Sequence, residues 1–391
     1  MTGSLRGAVA IVGIGETHYY RHGQSPDAEF KLALQSVLNA CEDAGMDPRE
    51  VDGFASFSDD RNDPPRLAAA LGLPELRFSN MQWGGGGGGS GAVGNAAAAI
   101  ATGYADCVVV FRSLAQGQFG RFGQGPRVPR VRGRNAFTVP YGLMSPAQAF
   151  AMRVQRLFHD RGVSPDTQKA VSLAAYHHAQ QNSRAVMHGR PLSGEDYDNS
   201  RWIVEPFRLF DCCLENDGAA ALVLVPAERA KDFRHAPAYI LGVATGVPER
   251  AAASAHNAPD YATSNFKTVA PRMYEMARMS AADVDVAQVY ENFTGGVVMS
   301  IIEHGFCTYE EANDFIRYEN LVAPDGRLPI NTSGGNLAEC YMHGLELQIE
   351  SVRQIRGQSP NPVPGADVHL IASGPMVEPV SGMLLGSEAT L

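Results

Sequence analysis

Lysine is scarce in this chain: of 391 residues only Lys31, Lys169, Lys231 and Lys267 are lysine. A Schiff-base enzyme needs a lysine held in an apolar site, and none of these adjoins the motifs described below. That class is disfavoured. The cysteines, Cys41, Cys107, Cys212, Cys213, Cys307 and Cys340, contain no C-x-x-C pair, which disfavours a structural zinc within the chain. Several sit in apolar surroundings, as in ADCVVVF, where a reduced core thiol is the expected role. No apolar run reaches the length of a membrane span. The opening MTGSLRGAVAIVG lacks the apolar core of a signal peptide, so the cytosol is the expected compartment. Positive charge is lacking too. The formal net charge is −10, whereas a protein that tracks nucleic-acid phosphates needs a basic surface. One basic cluster, Arg127 to Arg134, reads equally as a solvated loop or as a site for an anion such as a nucleotide phosphate. Clustered metal ligands are missing as well. His177 and His178 are adjacent and would point apart on a helix, and His188 and His235 show no ligand spacing.

What is present is a distant internal repeat. AGMDPREVDGFASF runs from Ala44 to Phe57, and ARMSAADVDVAQVY runs from Ala277 to Tyr290. Met46 matches Met279, Val51 matches Val284, Asp52 matches Asp285, and Phe57 matches Tyr290. Each segment ends a helix, crosses a short connection and enters a buried strand. The order continues in parallel. A glycine run from Gly84 to Gly89 leads into an alanine-rich helix near 91–102 and a strand at 107–111. In the second half Ser333-Gly334-Gly335 leads into a helix near 344–356 and a strand at 368–373. Each half opens on an apolar strand, 8–13 and 238–243. Alternating strands and helices predict a mainly parallel sheet with helices on both faces. The expected division is 1–235 and 236–391. The first half carries an insertion at about 112–210, with helices at 146–161 and 167–182, of the kind that covers a site.

Six consecutive glycines carry an entropic cost and need a reason. A dinucleotide fingerprint matches any glycine run trivially, and the acidic residue at roughly the required distance, Asp106, opens a strand instead of ending one. A phosphate-binding loop needs a following lysine, which is missing. A flexible linker is at odds with the adjoining helix start. The preferred reading is a helix N-terminus where backbone approaches a ligand closely and free N–H groups favour a developing oxyanion.

Three longer segments carry a family resemblance. RWIVEPFRLFDCCLENDGAAALVLV, GYADCVVVF and HGLELQIESVRQIRGQSPNPVPGADVHLIASG resemble, in that order, segments of the sterol-carrier-protein branch of the thiolase superfamily. The resemblance spans nearly the whole chain. It implies a thiolase-like five-layer αβαβα fold of two pseudo-repeated halves, which usually forms a homodimer. Thiolases place a nucleophilic cysteine at the N-terminus of the helix that precedes GYADCVVVF. That position falls at about Gly86 here, and glycine cannot form an acyl-enzyme. The family motif N-E-A-F, or H-D-C-F, appears as Tyr290-Glu291-Asn292-Phe293. G-H-P appears as Cys340-Tyr341-Met342, and a two-residue shift would align His343 with its histidine. Cys340 takes a glycine's place, and the strand ending Ser373-Gly374 lacks the second catalytic cysteine.

This pattern is similar to the side-chain-cleaving aldolases of bacterial steroid degradation, which act with a small OB-fold and zinc-ribbon (DUF35) partner. The resemblance implies Tyr290 and Tyr341 as the catalytic pair. It also implies Gly86, Gly87, Glu291, Asn292, His343 and Gly374 as candidates for oxyanion or substrate binding. The substrate would be a CoA thioester, with no cofactor or metal in this chain and zinc in the partner. The implied reaction is a retro-aldol cleavage of a β-hydroxyacyl-CoA, as in cholesterol or bile-acid side-chain catabolism. It would release a 17-ketosteroid and propionyl-CoA or a similar short acyl-CoA. A non-catalytic acyl-CoA carrier and a thiolase-like acyltransferase are the competing functions. Either tyrosine could instead be a core residue with one hydrogen-bond partner, Glu291 and Asn292 could orient Tyr290 or cap the following helix, and Asp217 reads as tying a turn.

Overall fold

The computed structural model describes residues 5–119, 131–252 and 256–391. Residues 127–130 of the basic cluster lie outside that range, and the anion-site reading lies outside it with them. The strands that matter here are β1 (Val9–Glu16), β2 (Gly53–Phe57), β3 (Phe78–Gln82), β4 (Val108–Ala115) and β5 (Asn216–Pro226), followed by β6 (Ala238–Gly246), β7 (Val286–Val289), β8 (Val368–Ser373) and β9 (Val380–Gly386). They lie in the order β7-β8-β9-β6-β1-β5-β4-β2-β3.

The repeat is visible in this order. In the first half β2 runs parallel to β4, β4 antiparallel to β5, and β5 antiparallel to β1. In the second half β7 runs parallel to β8, β8 antiparallel to β9, and β9 antiparallel to β6. The two quartets meet only where Ala10 and Ile11 of β1 pair with Tyr239 and Ala238 of β6. β3 extends the first half, parallel to β2. The expectation of a mainly parallel sheet is therefore corrected to a mixed one. The return strands β5 and β9 enter antiparallel, and only the β2–β3, β2–β4 and β7–β8 pairs are parallel.

The matched aspartates do the same work in each half. Asp52 accepts from the N–H groups of Asp106 and Cys107 at the mouth of β4. Asp285 accepts from Asp367 and Val368 at the mouth of β8. Each fixes the start of its strand beside its parallel neighbour.

Five layers follow from which face each helix covers. α1 (Glu29–Ala44) packs on β1, β5 and β4 from outside. The helix after the glycine run, α2 (Gly88–Ala101), packs against strands of both halves. The insertion supplies α3 (Pro146–Arg161) and α4 (Asp166–Gln181), and α5 (Ala270–Ala277) covers the outer face of β6 and β9. α6 (Leu345–Ile355) joins α2 in the middle layer. Alternation along β5 shows the layering: Ala220, Leu222 and Leu224 face the central core with α2, while Ala221, Val223 and Val225 belong to the outer core. α2 is built of Gly and Ala because it is pressed between sheets. A Cβ on Gly94 would stand 2.9 Å from Val243 on β6. Among the described residues no helix is long and apolar enough to cross a membrane.

Candidate active site

Tyr290 directly follows β7, and its N–H donates to Ala372 of β8 at 2.9 Å, continuing the parallel ladder past the end of the strand. Asn331 fixes the preceding residue, accepting from the Val289 N–H and donating to its carbonyl. Tyr341 lies on the loop before α6. Its N–H donates to the side-chain oxygen of Asn216, the first residue of β5, at 2.6 Å. The same loop is pinned by Glu346, in the first turn of α6, which accepts from the Met342 and Gly344 N–H groups. Two segments of the second half thus deliver one phenol each to the same point, the second of them held by Asn216 of the first half. The hydroxyls of Tyr290 and Tyr341 are 2.7 Å apart, within a hydrogen bond.

The Tyr290 ring is clamped between glycines. A Cβ at Gly86 would lie 2.4 Å from its Cζ and 2.6 Å from its hydroxyl, and a Cβ at Gly344 would lie 2.7 Å from its Cδ2. No L-side chain fits at 86 while the phenol stands there. Gly344 also has φ +89°, a left-handed conformation that glycine adopts without penalty.

His343, next to Gly344, has φ +59° and is buried. Arg112, fully buried on β4, donates from Nε to His343 Nδ1 at 3.2 Å. That bond makes Nδ1 the acceptor and assigns the neutral ring's proton to Nε2. Burial foremost, and then the Arg112 charge, push the imidazole down to about 3, so it stays neutral at physiological pH. Arg112 is in turn paired with Asp59 at 2.7 Å and Asp60 at 3.1 Å. Burial foremost raises both phenols well above the ordinary tyrosine value. At neutral pH the pair is two protonated hydroxyls.

Tyr290, Tyr341, Gly86 and His343 line a cavity of about 440 Å³ beneath the insertion. Its cover is α3, started by Ser145, which accepts from the Gln148 N–H while Gln148 accepts from the Ser145 N–H. That reciprocal cap sets Ala147 and Phe150 over the cavity. Of the residues anticipated from sequence, Tyr290, Tyr341, Gly86, Asn292 and His343 line the cavity. Gly87, Glu291 and Gly374 are not on its wall. A Cβ on Gly374 would meet the Gly87 nitrogen at 2.1 Å, so the pair serves a close backbone crossing. Glu291 turns away, accepts from the Asn336 N–H at 2.9 Å, and is raised to about 8 by burial.

The glycine run also differs from expectation. α2 begins inside it, but its first turn is not bare. The Gly88 N–H donates to Gly85 and Gly86 carbonyls, the Ser90 N–H to Ser373, and the Gly91 N–H to Ser381. What fronts the cavity is Gly85 and Gly86, one turn earlier. Asp217 ties backbone, accepting from Ser25 and Gly117.

Sequence reasoning missed Arg112, Asp59, Asp60, Gln116 and the Cys212–Cys213 pair, which also lines the cavity. Only the strand order of the fold, with β4 lying between β5 and β2, could have pointed to the residues at its C-terminal end. Burial raises Cys212 to about 12 and Cys213 well above the ordinary range, so both are protonated thiols and weak nucleophiles. Cys340 is buried and is not on the cavity wall.

Comparison with known proteins gives a consistent set of neighbours. Residues 249–386 match the family described as thiolase C-terminal domain-like. The 17-hydroxy-3-oxo-4-pregnene-20-carboxyl-CoA lyase of Mycobacterium tuberculosis is 40% identical, covering 98% of this chain and 100% of that protein. A steroid side-chain-cleaving aldolase of Thermomonospora curvata is 38% identical, covering 98% and 99%. Among solved structures, one described as the Ltp2-ChsH2(DUF35) aldolase superimposes with a TM-score of 0.92 at 37% identity, over the full length of both chains.

Proposed function

The chain belongs to the steroid side-chain-cleaving aldolases of the thiolase superfamily, and from that membership we propose that it is a carbon–carbon lyase acting on a β-hydroxyacyl-CoA of a steroid. For a 17-hydroxy-pregnene-20-carboxyl-CoA the chemistry is a retro-aldol reaction. The hydroxyl proton leaves, C17 becomes a ketone, and the C17–C20 bond breaks to give the enolate of propionyl-CoA. Protonation at C20 completes the products, a 17-ketosteroid and propionyl-CoA.

One observation carries this reading above all. The phenol of Tyr290, hydrogen-bonded to that of Tyr341, fills the space beside Gly86 that a thiolase nucleophile would need. Raised phenol values argue against a standing phenolate base and for a neutral relay. The substrate hydroxyl gives its proton to one tyrosine as that tyrosine passes its own to the other, and the second phenol supplies the proton that C20 takes up. No charge need rest on either ring, which suits a buried pair. The enolate oxygen gains from hydrogen-bond donors in a site of low dielectric. A covalent acyl-enzyme route is disfavoured because the thiols on the cavity wall are held protonated.

The assembly we propose is a homodimer joined to a small OB-fold and zinc-ribbon subunit that carries the zinc, in the cytosol. The solved Ltp2-ChsH2(DUF35) aldolase, whose fold this chain shares, supports a partner of the DUF35 kind. Dimerisation is supported by the outer edge of β3, which pairs with β2 alone among the described strands. Beside it are Met81, 40% exposed, and Trp83, 81% exposed.

The test is turnover of 17-hydroxy-3-oxo-4-pregnene-20-carboxyl-CoA by the purified chain with its partner, read as ketone and propionyl-CoA. Tyr290→Phe and Tyr341→Phe should each lower kcat by about a hundred- to a thousand-fold. The double variant should be little worse than either, since the pair acts as a unit. Unimpaired turnover by the double variant would eliminate the relay.

A further inference from the structure

Gln116 follows β4 and lines the active-site cavity. It is 3% exposed, and neither its amide nitrogen nor its amide oxygen has a hydrogen-bond partner. Buried amides are rarely left so, because removing both groups from water without compensation is unfavourable. The cavity wall has polar members as well as Phe150, Leu214, Phe293 and Val377, but none of them hydrogen-bonds this amide. Its missing partners therefore belong to whatever fills the cavity.

Position narrows what that is. Ala115, the last residue of β4, is in register with Asp217 of β5. Asn216, one residue nearer the start of β5, is the residue that holds the Tyr341 N–H. Gln116 thus lies at the Tyr341 side of the cavity, where the reacting carbons would sit. Both of its unpartnered atoms need satisfying, one by an acceptor and the other by a donor. A ring ketone offers acceptors only. A β-hydroxy thioester offers a hydroxyl hydrogen and a carbonyl oxygen on carbons separated by one other, a spacing suited to the nitrogen and oxygen of one amide.

We propose that Gln116 recognises the β-hydroxy thioester end of the substrate, with Nε2 donating to the thioester oxygen and Oε1 accepting from the hydroxyl. This rests on the aldolase reading above. The amide sets the hydroxyl-bearing carbon against the phenols in the initial complex. Rotation about the C–O bond then turns the hydroxyl hydrogen to a tyrosine for transfer, while Nε2 remains on the oxygen that gains enolate charge. Gln116 is in this account a specificity-determining residue that favours hydroxylated acyl-CoA over its unhydroxylated counterpart.

The experiment compares the full chain with its Gln116→Met variant on two ligands. KM and kcat are measured for 17-hydroxy-3-oxo-4-pregnene-20-carboxyl-CoA, and the inhibition constant for 3-oxo-4-pregnene-20-carboxyl-CoA, which lacks the hydroxyl. The wild-type preference for the hydroxylated ligand should fall about ten- to a hundredfold, the effect of losing a hydrogen bond in a buried site, and kcat should fall as well, because Nε2 is lost from the oxygen that gains enolate charge. Equal weakening of both ligands would place Gln116 against a part they share, such as the CoA arm, and would overturn the proposal. No change in either would overturn it also. Gln116→Leu serves if Gln116→Met does not fold. Should the wild type cleave nothing, the aldolase reading fails on its own account. Equilibrium dissociation constants for the same two ligands then test Gln116 independently.

Discussion

Gly86→Ala is the most direct probe of how this site departs from a thiol-bearing one. The added methyl would stand 2.4 Å from Cζ and 2.6 Å from the hydroxyl of Tyr290, far inside contact distance. The ring cannot swing aside freely, because its other edge abuts Gly344 and the side chain is 2% exposed. Either the head of α2 moves or the phenol does. Overpacking of this kind costs about 1–3 kcal/mol, and loss of the 2.7 Å Tyr290–Tyr341 hydrogen bond adds about 0.5–1.5 kcal/mol. Gly86→Ala should therefore be destabilised by about 2–4 kcal/mol in urea unfolding. Its kcat should fall at least about a hundredfold, because the phenols are no longer held together. A double-mutant cycle isolates the clash. Tyr290→Ala alone leaves a cavity costing about 3–5 kcal/mol, but it also makes room for a methyl at 86. The double variant should be less destabilised than the sum of the singles, with a coupling of about 1–3 kcal/mol. Additive energies together with near-native stability and turnover for Gly86→Ala would refute the placement of the phenol. Gly86→Cys should behave like Gly86→Ala, or worse, and should not acquire thiolase activity.

Two further predictions concern the groups behind the phenols. Arg112→Met removes the buried countercharge of Asp60, whose side chain is fully buried and keeps only donors from Asn62 and Ser113, and should cost about 3–5 kcal/mol in denaturant unfolding; a loss below about 1 kcal/mol would mean that the pair is not buried as described. Glu291 has its carboxyl raised from 4.5 to about 8, so the folded state holds a proton that the unfolded state releases. Its contribution is fully present below the unfolded value and falls as pH rises through this window, by up to about 1.4 kcal/mol per pH unit. Glu339, raised to about 7 mainly by burial, acts with the same sign. Glu291→Gln should therefore flatten, without abolishing, the decline in unfolding free energy between pH 5.5 and 8.5; an unchanged slope would show that Glu291 is not held protonated.

The layout of the site was unevenly legible in the amino-acid order. Tyr290 and Tyr341 could be found because each occupies a motif of the family that the chain resembles, just past β7 and just before α6. Asp52 and Asp285 could be matched because each closes the same short connection. Glu291 looked like a site residue by adjacency to Tyr290, but successive residues after a strand point to opposite sides, and its carboxylate went to Asn336. Gly374 and Gly87 were candidates for oxyanion or substrate binding, and the structure sets them against each other at a close backbone crossing.

The sequence by itself determined the layered α/β fold, the paired halves, the absence of a thiol near position 86 and the two phenols. The fold class and the paired halves depend on local pattern and spacing along the chain, and the missing thiol and the phenols on the motifs that carry the family resemblance. Tertiary structure alone decided that Tyr290 occupies the space beside Gly86, that Arg112 reaches His343, and that Gln116 and the Cys212–Cys213 pair face the cavity. These contacts join residues from tens to more than two hundred positions apart. Their energies come from burial and from distances of a few ångströms, which exist only once both halves have packed around α2.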